Sequence, residues 1–164
     1  MQVRQAGVAD AEGIARVHVL SSQAGYRGLL PRPLLDGLRP VQRVPRWTAT
    51  VRQTSWPGRG VLVADDAGAI VGFVDLRPAE DDDPDAVGVG EITGFYVLPA
   101  AWRQGVGRHL MAAAVRGLHA AGYMSAMLWV LEANTRAVRF YSQLGWEPDG
   151  SSRDRLVRYR RNLG

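Results

Sequence analysis

Two glycines flanking one apolar residue, in "AAWRQGVGRHLM" (residues 100–111), stand where a helix is about to begin. Glycine costs a helix interior up to about 1 kcal/mol relative to alanine, so a pair at the mouth of a helix needs another reason. A strand feeding through a short loop into such a helix presents unpaired N–H groups and the positive end of the helix dipole to whatever lies in front. That is an anion site. Gly105 and Gly107 carry no Cβ, so a phosphate oxygen can approach the main chain closely, and Arg103 and Arg108 add charge beside it. Two other readings stay open. The glycines could permit tight packing of helix on strand, or belong to a dinucleotide fingerprint, although "GVGRHL" lacks the third glycine and follows a meander of hairpins. A second constellation lies in "ANTRAVRFYSQLG", where Asn134, Ala137, Val138 and Tyr141 fall at 0, 3, 4 and 7 and share one helix face. About 10 Å of axial rise separates Asn134 from Tyr141, so both polar groups can face one extended ligand. Asn134 also suits a plain helix cap, and Tyr141 a core tyrosine bonded to main chain.

The elements that must position these residues read in order. "MQVRQA" suits a short strand, and Asp10 offers an N-cap for a helix with Ile14, Val17, His18 and Ser21 on one face. "GYRGLLPRPLLDGLRP" permits only short helical pieces, and Val44, Trp47, Thr48 and Val51 then mark another helix. "VLVAD" and "AIVGFVDL" flank "DAG" as an antiparallel hairpin. "RPAEDDDPDAVG" reads first as a solvated loop, because like charges that dense repel one another and stay hydrated, and second as a substrate gate. "GEITGFYVLP" is a strand ending at Pro99, and the glycine-led helix follows, keeping Val106, Leu110 and Leu118 toward the sheet until Gly122 stops it. "MSAMLWVL" has the continuous apolar character of a strand covered on both faces. The helix from Asn134 to Gly145 comes next, then strands in "WEPDG" and "RLVRYRR".

Composition narrows the chemistry. A chain of 164 residues, 46% apolar and 22% charged, suits one globular domain spanning residues 1–164. Cysteine is absent, which excludes thiol nucleophiles, thiolate metal sites and disulfides. Lysine is absent as well, all 20 basic residues being arginine, which excludes a Walker phosphate loop and a lysine Schiff base. The net charge of +4 is modest and scattered, favouring a solvated surface over a nucleic-acid tract. No apolar run reaches the roughly 18 residues of a membrane span and no secretory signal opens the chain, so a cytoplasmic location with no membrane partner is expected. His18, His109 and His119 have no second ligand at metal spacing, so no metal is expected.

"GEITGFYVLPAAWRQGVGRHLM" followed by "LWVLEANTRAVRFYSQLGW" resembles the acetyl-CoA-binding half of the GNAT superfamily of N-acetyltransferases, and "RQAGVADAEGIARVH" and "YRGLLP" resemble that family's opening. The resemblance implies an α+β fold: a twisted, mostly antiparallel sheet of six to seven strands with a splayed central pair, flanked by about four helices. It implies acetyl-CoA as co-substrate. Phe95, Tyr96 and Val97 would offer main chain to the pantetheine arm, Arg103, Gln104, Gly105, Val106, Gly107 and Arg108 would hold the pyrophosphate, and Asn134, Ala137 and Tyr141 would contact the cofactor. Gly94 fits that picture, since glycine within a strand often marks a bulge or a close backbone approach. One departure is Trp102, at a position where the family usually carries Gln or Arg; Arg103 or Gln104 could supply a lost side-chain contact.

The chemistry gives two residues a task. A phenol with a reference pKa near 10 stays protonated at neutral pH, so Tyr141 can donate a proton to the departing thiolate as general acid. The amine must lose a proton, and Glu91, which resembles a frequent glutamate of the family, could take it directly or through water if burial raises its pKa. The expected activity is acetyl transfer from acetyl-CoA to a primary amine of a small molecule or peptide, by direct attack in a ternary complex. The alternatives are a non-catalytic CoA-binding sensor or partner module, and a protein binding a different nucleotide. The acceptor cleft is expected from "SSQAGYRGLLP", the region near Trp47 and the C-terminal strand pair. A homodimer is compatible with the resemblance.

Overall fold

The computed structural model describes residues 1–81 and 83–164. Seven strands form one sheet: β1 (Gln2–Gln5), β2 (Gly60–Asp66), β3 (Ala69–Pro78), β4 (Gly90–Val97), β5 (Ser125–Leu131), β6 (Glu147–Arg153) and β7 (Leu156–Asn162), in the order β1-β2-β3-β4-β5-β7-β6. Among the described residues five helices flank it: α1 (Ala11–Gly25), α2 (Arg32–Asp36), α3 (Pro40–Arg52), α4 (Val106–Ala120) and α5 (Thr135–Gln143). This is the expected α+β architecture, with the short α2 added to the four longer helices.

The continuous apolar run of β2 is explained by burial on both faces. Leu62 and Ala64 pack with Val74, Leu76 and Ile92 under Leu110, Met111 and Leu118 of α4. Val61 and Val63 point the other way, with Phe73, onto Ile14 and Val17 of α1 and Trp47 and Val51 of α3. Alternation thus persists in direction while polarity does not alternate.

Every neighbouring pair is antiparallel except β4 and β5, which run parallel and pair only at Gly90↔Ala126, Glu91↔Met127 and Ile92↔Leu128. Beyond these rungs the two strands part. The division coincides with a bulge, for β3 pairs Asp75 with Gly94 and Leu76 with Ile92, which leaves Thr93 outside the ladder. An edge of main chain is thereby opened in the middle of the sheet.

Two local expectations are corrected. Asp10 precedes α1, but its carboxylate does not cap it. It turns back to accept from Gly7 N at 2.8 Å and from both terminal nitrogens of Arg4 at 2.9 Å, because its own backbone is already helical (φ −86°, ψ −7°). The acidic loop is not simply solvated. Asp81 and Asp83 grip Arg158, at 3.2 and 2.7 Å, together with Asp149 at 2.6 Å, and that guanidinium is only 3% exposed. A buried cation of β7, invisible to local charge counting, offsets the repulsion. Asp82 of the same loop lies outside the described residues.

Candidate active site

The parting of β4 and β5 opens a cleft of about 760 Å³. Its walls are β4 from Ile92 to Val97, Leu128 to Val130 of β5, the turn before α4, and the first two turns of α5, with Ser21, Gly25 and Tyr26 closing the side formed by α1. The strand hydrogen bonds that β4 would make to a continuing β5 are available here to a ligand with amide groups.

At one end the turn "WRQG" winds into α4. Arg103 (φ +62°) and Gly105 (φ +84°) are both left-handed, the second as the helix N-cap. Such backbone turns its N–H groups inward into an anion-binding concavity at the positive end of α4. Arg103, Gly105, Gly107 and Arg108 line the cleft. Gln104 and Val106 do not: Gln104 Nε2 donates to Ala100 O at 2.9 Å, and Val106 is buried in the core. These two can contribute main chain alone.

The two glycines serve different needs. Gly105 supplies a left-handed φ that costs other residues about 1–2 kcal/mol. Gly107 makes room: a Cβ there would stand 3.1 Å from Phe140 Cζ. The close-packing reading is therefore realised at Gly107, against the helix α5 and not against a strand.

On α5 the expected face forms. Asn134 Oδ1 accepts from Ala137 N at 3.2 Å, so this residue caps the helix, and it also lines the cleft with Ala137 and Tyr141. The Tyr141 ring packs among Phe95, Phe140 and Trp146. Burial pushes its phenol above the ordinary value of about 10, which keeps it protonated at neutral pH.

Trp102 and Arg136 were not singled out together by the sequence. Trp102 Nε1 donates to Val97 O at 2.7 Å, and the guanidinium carbon of Arg136 lies 3.6 Å from the Trp102 ring centroid, a cation–π stack across the cleft wall. The carbonyl of Val97 is thus already engaged, and Phe95, Tyr96 and Val97 all line the cleft. The departure at Trp102 was the visible signal; its partner, 34 positions away, carried none.

Glu91 sits just outside this cavity, whose β4 wall starts at Ile92. It is 7% exposed, and burial raises its pKa against the opposing charge of Arg77. Two elements away, His18 accepts at Nδ1 from Trp47 Nε1 at 3.2 Å; burial, with Arg46 and Arg43 nearby, pushes it down to about 4, so it is neutral at physiological pH. Tyr26 and Tyr96 bring their hydroxyls to 3.5 Å from each other, dividing the cleft from a second cavity of about 170 Å³ walled by leucines of the α1–α3 connection. Among the described residues no group of three or more His, Asp or Glu could hold a metal, and no helix is long and apolar enough to cross a membrane.

With this geometry in place, the chain can be set beside the proteins that it matches. The sequence model of the acetyltransferase (GNAT) family matches residues 32–146, most of the chain. The uncharacterized N-acetyltransferase YuaI of Bacillus subtilis is 32% identical over 142 residues, covering 85% of this chain and 76% of its own. The mycothiol acetyltransferase of Frankia casuarinae is 38% identical over 113 residues, and there the chain spans only 32% of the relative's length. In structure, the PaiA N-acetyltransferase of Thermoplasma acidophilum, solved with coenzyme A, superposes with a TM-score of 0.80 over 98% of both chains at 15% identity. The chain belongs to the GNAT acetyltransferase family and is an enzyme of the acyltransferase class.

Proposed function

We propose that this enzyme transfers an acetyl group from acetyl-CoA to the primary amine of a small molecule or peptide, by direct attack within a ternary complex. The observation that carries the reading is the split between β4 and β5, which leads from the N–H concavity at Arg103–Gly107 to the buried phenol of Tyr141. Coenzyme A fits what is present: a concavity and two arginines for the diphosphate, an unpaired β4 edge for the amides of its arm, and a cleft of about 760 Å³ that joins them. When bound, acetyl-CoA supplies the activated acyl carbon and the thiolate leaving group. Main-chain N–H groups from Arg103 to Arg108 orient the diphosphate, with Arg103 and Arg108 adding charge. Asn134 and Ala137 face the arm. Tyr141, held protonated by burial, donates its O–H proton to the departing sulfur.

The attacking nitrogen must shed a proton. Glu91, with a carboxyl raised by burial, is one candidate for that base, and from its place outside the cleft wall it would act through water. The test of the whole reading is incubation with acetyl-CoA and a panel of phenethylamine, spermidine and a dipeptide amide, read by free-thiol release and by mass spectrometry of the acceptor. Acetylated amine is the expected product; CoA binding without turnover on any amine would refute the assignment.

A further inference from the structure

Resting on amine acetylation as proposed above, we infer that Thr93, backed by Asp75, is the group that takes the proton from the attacking amine. Thr93 is the first β4 residue beyond the last β4–β5 rung at Ile92↔Leu128, which places it at the apex of the split. The bulge opposite Asp75 and Leu76 takes it out of the ladder, and it lines the cleft beside Gly94. Its hydroxyl donates to Asp75 Oδ2 at 2.8 Å. A hydroxyl whose proton is committed to a carboxylate keeps its lone pairs for accepting, and the place of Thr93 in the cleft lining makes an N–H of a bound amine the partner it can accept from.

Gly94 keeps the adjoining space clear. A Cβ at that position would reach the ring of Phe73, Asp75 Cβ and the ring of Tyr96 at 3.5–3.7 Å, so the room in front of the pair exists because no side chain fills it. Asp75 makes no ion pair among the described residues, although Arg46 of α3, Arg59 before β2 and Arg77 of β3 all bear on it electrostatically. Burial raises its pKa above that of an ordinary aspartate, with the Thr93 hydrogen bond and these three arginines opposing, which makes it a stronger base than an exposed carboxylate.

The step balances. As the amine nitrogen bonds to the acyl carbon it gains positive charge; its N–H bond breaks and the proton passes to Thr93 Oγ, while the Thr93 proton crosses to Asp75 Oδ2. The carboxylic acid later releases that proton to solvent, and the Tyr141 proton goes separately to sulfur. Thr93 touches the substrate; Asp75 is a positioning residue that fixes the hydroxyl and receives its proton.

The experiment uses the full chain with acetyl-CoA and whichever of phenethylamine, spermidine and the dipeptide amide the native enzyme acetylates. Asp75→Asn and the isosteric Thr93→Val are expected to lower kcat about 100-fold, with the Kd for CoA measured by calorimetry unmoved and Thr93→Ser recovering most of the rate. The acid limb of kcat/KM against pH, where Asp75 becomes protonated, should disappear in Asp75→Asn. In the ligand-free protein, carboxyl-labelled aspartate followed by 13C NMR should show Asp75 titrating above ordinary aspartates, and higher still in Thr93→Val, where the hydrogen bond to the anion is gone. Native-like rates in both variants, or an acid limb that survives Asp75→Asn and vanishes in Glu91→Gln, would overturn the inference while leaving amine acetylation standing. An Asp75 carboxyl that titrates normally and ignores Thr93→Val would overturn it too. No turnover of any amine by the native enzyme defeats the parent reading, and this one with it.

Discussion

On the side of the cleft facing α4 and α5, the wall is made of main chain and of residues whose type the local backbone demands. Gly105 is needed for a left-handed φ, Gly107 for clearance of Phe140, and Asn134 for capping α5. Elsewhere in the fold, with only Thr93 among them lining the cleft, are side chains gathered from remote positions: Trp47 on His18, Thr93 on Asp75, and Asp81 and Asp149 on Arg158. In the proposed reading, the first wall meets something invariant, a diphosphate and an amide-bearing arm, with groups every residue owns. The second region is built from groups that only folding brings together. Each should fail in its own way.

The largest effect is expected at the Arg158 cluster. Arg158→Ala leaves the carboxylates of Asp81 and Asp149 clustered without their buried cation, and the cost should be about 3 kcal/mol of unfolding free energy. Urea unfolding at neutral pH measures it. The same cluster sets an acid dependence. Burial tends to raise the Asp149 pKa, but hydrogen bonds from Ser151 N and Arg158 outweigh it and hold the carboxyl below its ordinary value. A carboxylate whose folded pKa is depressed contributes stability that is present above the unfolded pKa of about 3.9 and is lost as pH falls through the folded value. Arg158→Ala should therefore flatten the decline of stability below about pH 4; an unchanged acid slope would show that the cluster does not couple to folding.

Next comes the chemistry of the cleft. Tyr141→Phe removes one oxygen from a ring fixed by Phe95, Phe140 and Trp146. Loss of a general acid should lower kcat about 100-fold, while CoA affinity and melting temperature hold. A variant with native turnover would strip Tyr141 of the role, and one with weakened CoA binding would reassign it to the cofactor wall.

How far the sequence could be read follows the same division. The glycine turn and the α5 face were legible because each depends on neighbours within a few positions: a strand ending at Pro99, an N-cap at Asn134, a 0-3-4-7 pattern; the split sheet was expected only from the family resemblance. The acidic loop was misread because its partner, Arg158, lies on β7, some 75 positions on. Asp10 was assigned a cap by type, yet Arg4 and Gly7 claimed its carboxylate. The Trp102–Arg136 stack and the Thr93–Asp75 pair depend on tertiary contact and on a bulge, neither of which leaves a periodic trace.

A smaller effect tests whether the cofactor wall depends on backbone shape. Gly105→Ala forces a Cβ onto a φ of +84°, at about 1–2 kcal/mol. The mutant can relieve that strain by relaxing the turn. Relaxation turns N–H groups away from the concavity, so CoA affinity should fall about tenfold, equivalent to 1.4 kcal/mol, with kcat at saturating acetyl-CoA largely kept. Affinity left at the native level would mean that the arginine side chains, and not the main chain, hold the anion.

Gly107→Ala should do least, and the reason separates the two glycines. Its φ is not left-handed, so alanine there gains up to about 1 kcal/mol of helix propensity. Against that gain, the new Cβ sits 3.1 Å from Phe140 Cζ and 3.8 Å from Phe95 Cε1, which requires the Phe140 ring to yield by a few tenths of an ångström. Phe140 is a partly buried ring on the cleft wall, with open space on one side, and it can tilt. Thermal melting should therefore move little, and the Kd for CoA should change far less than in Gly105→Ala. If instead CoA binding collapses in Gly107→Ala while melting holds, the absent Cβ serves the phosphate directly, and the anion site extends a residue further into α4 than its left-handed turn implies.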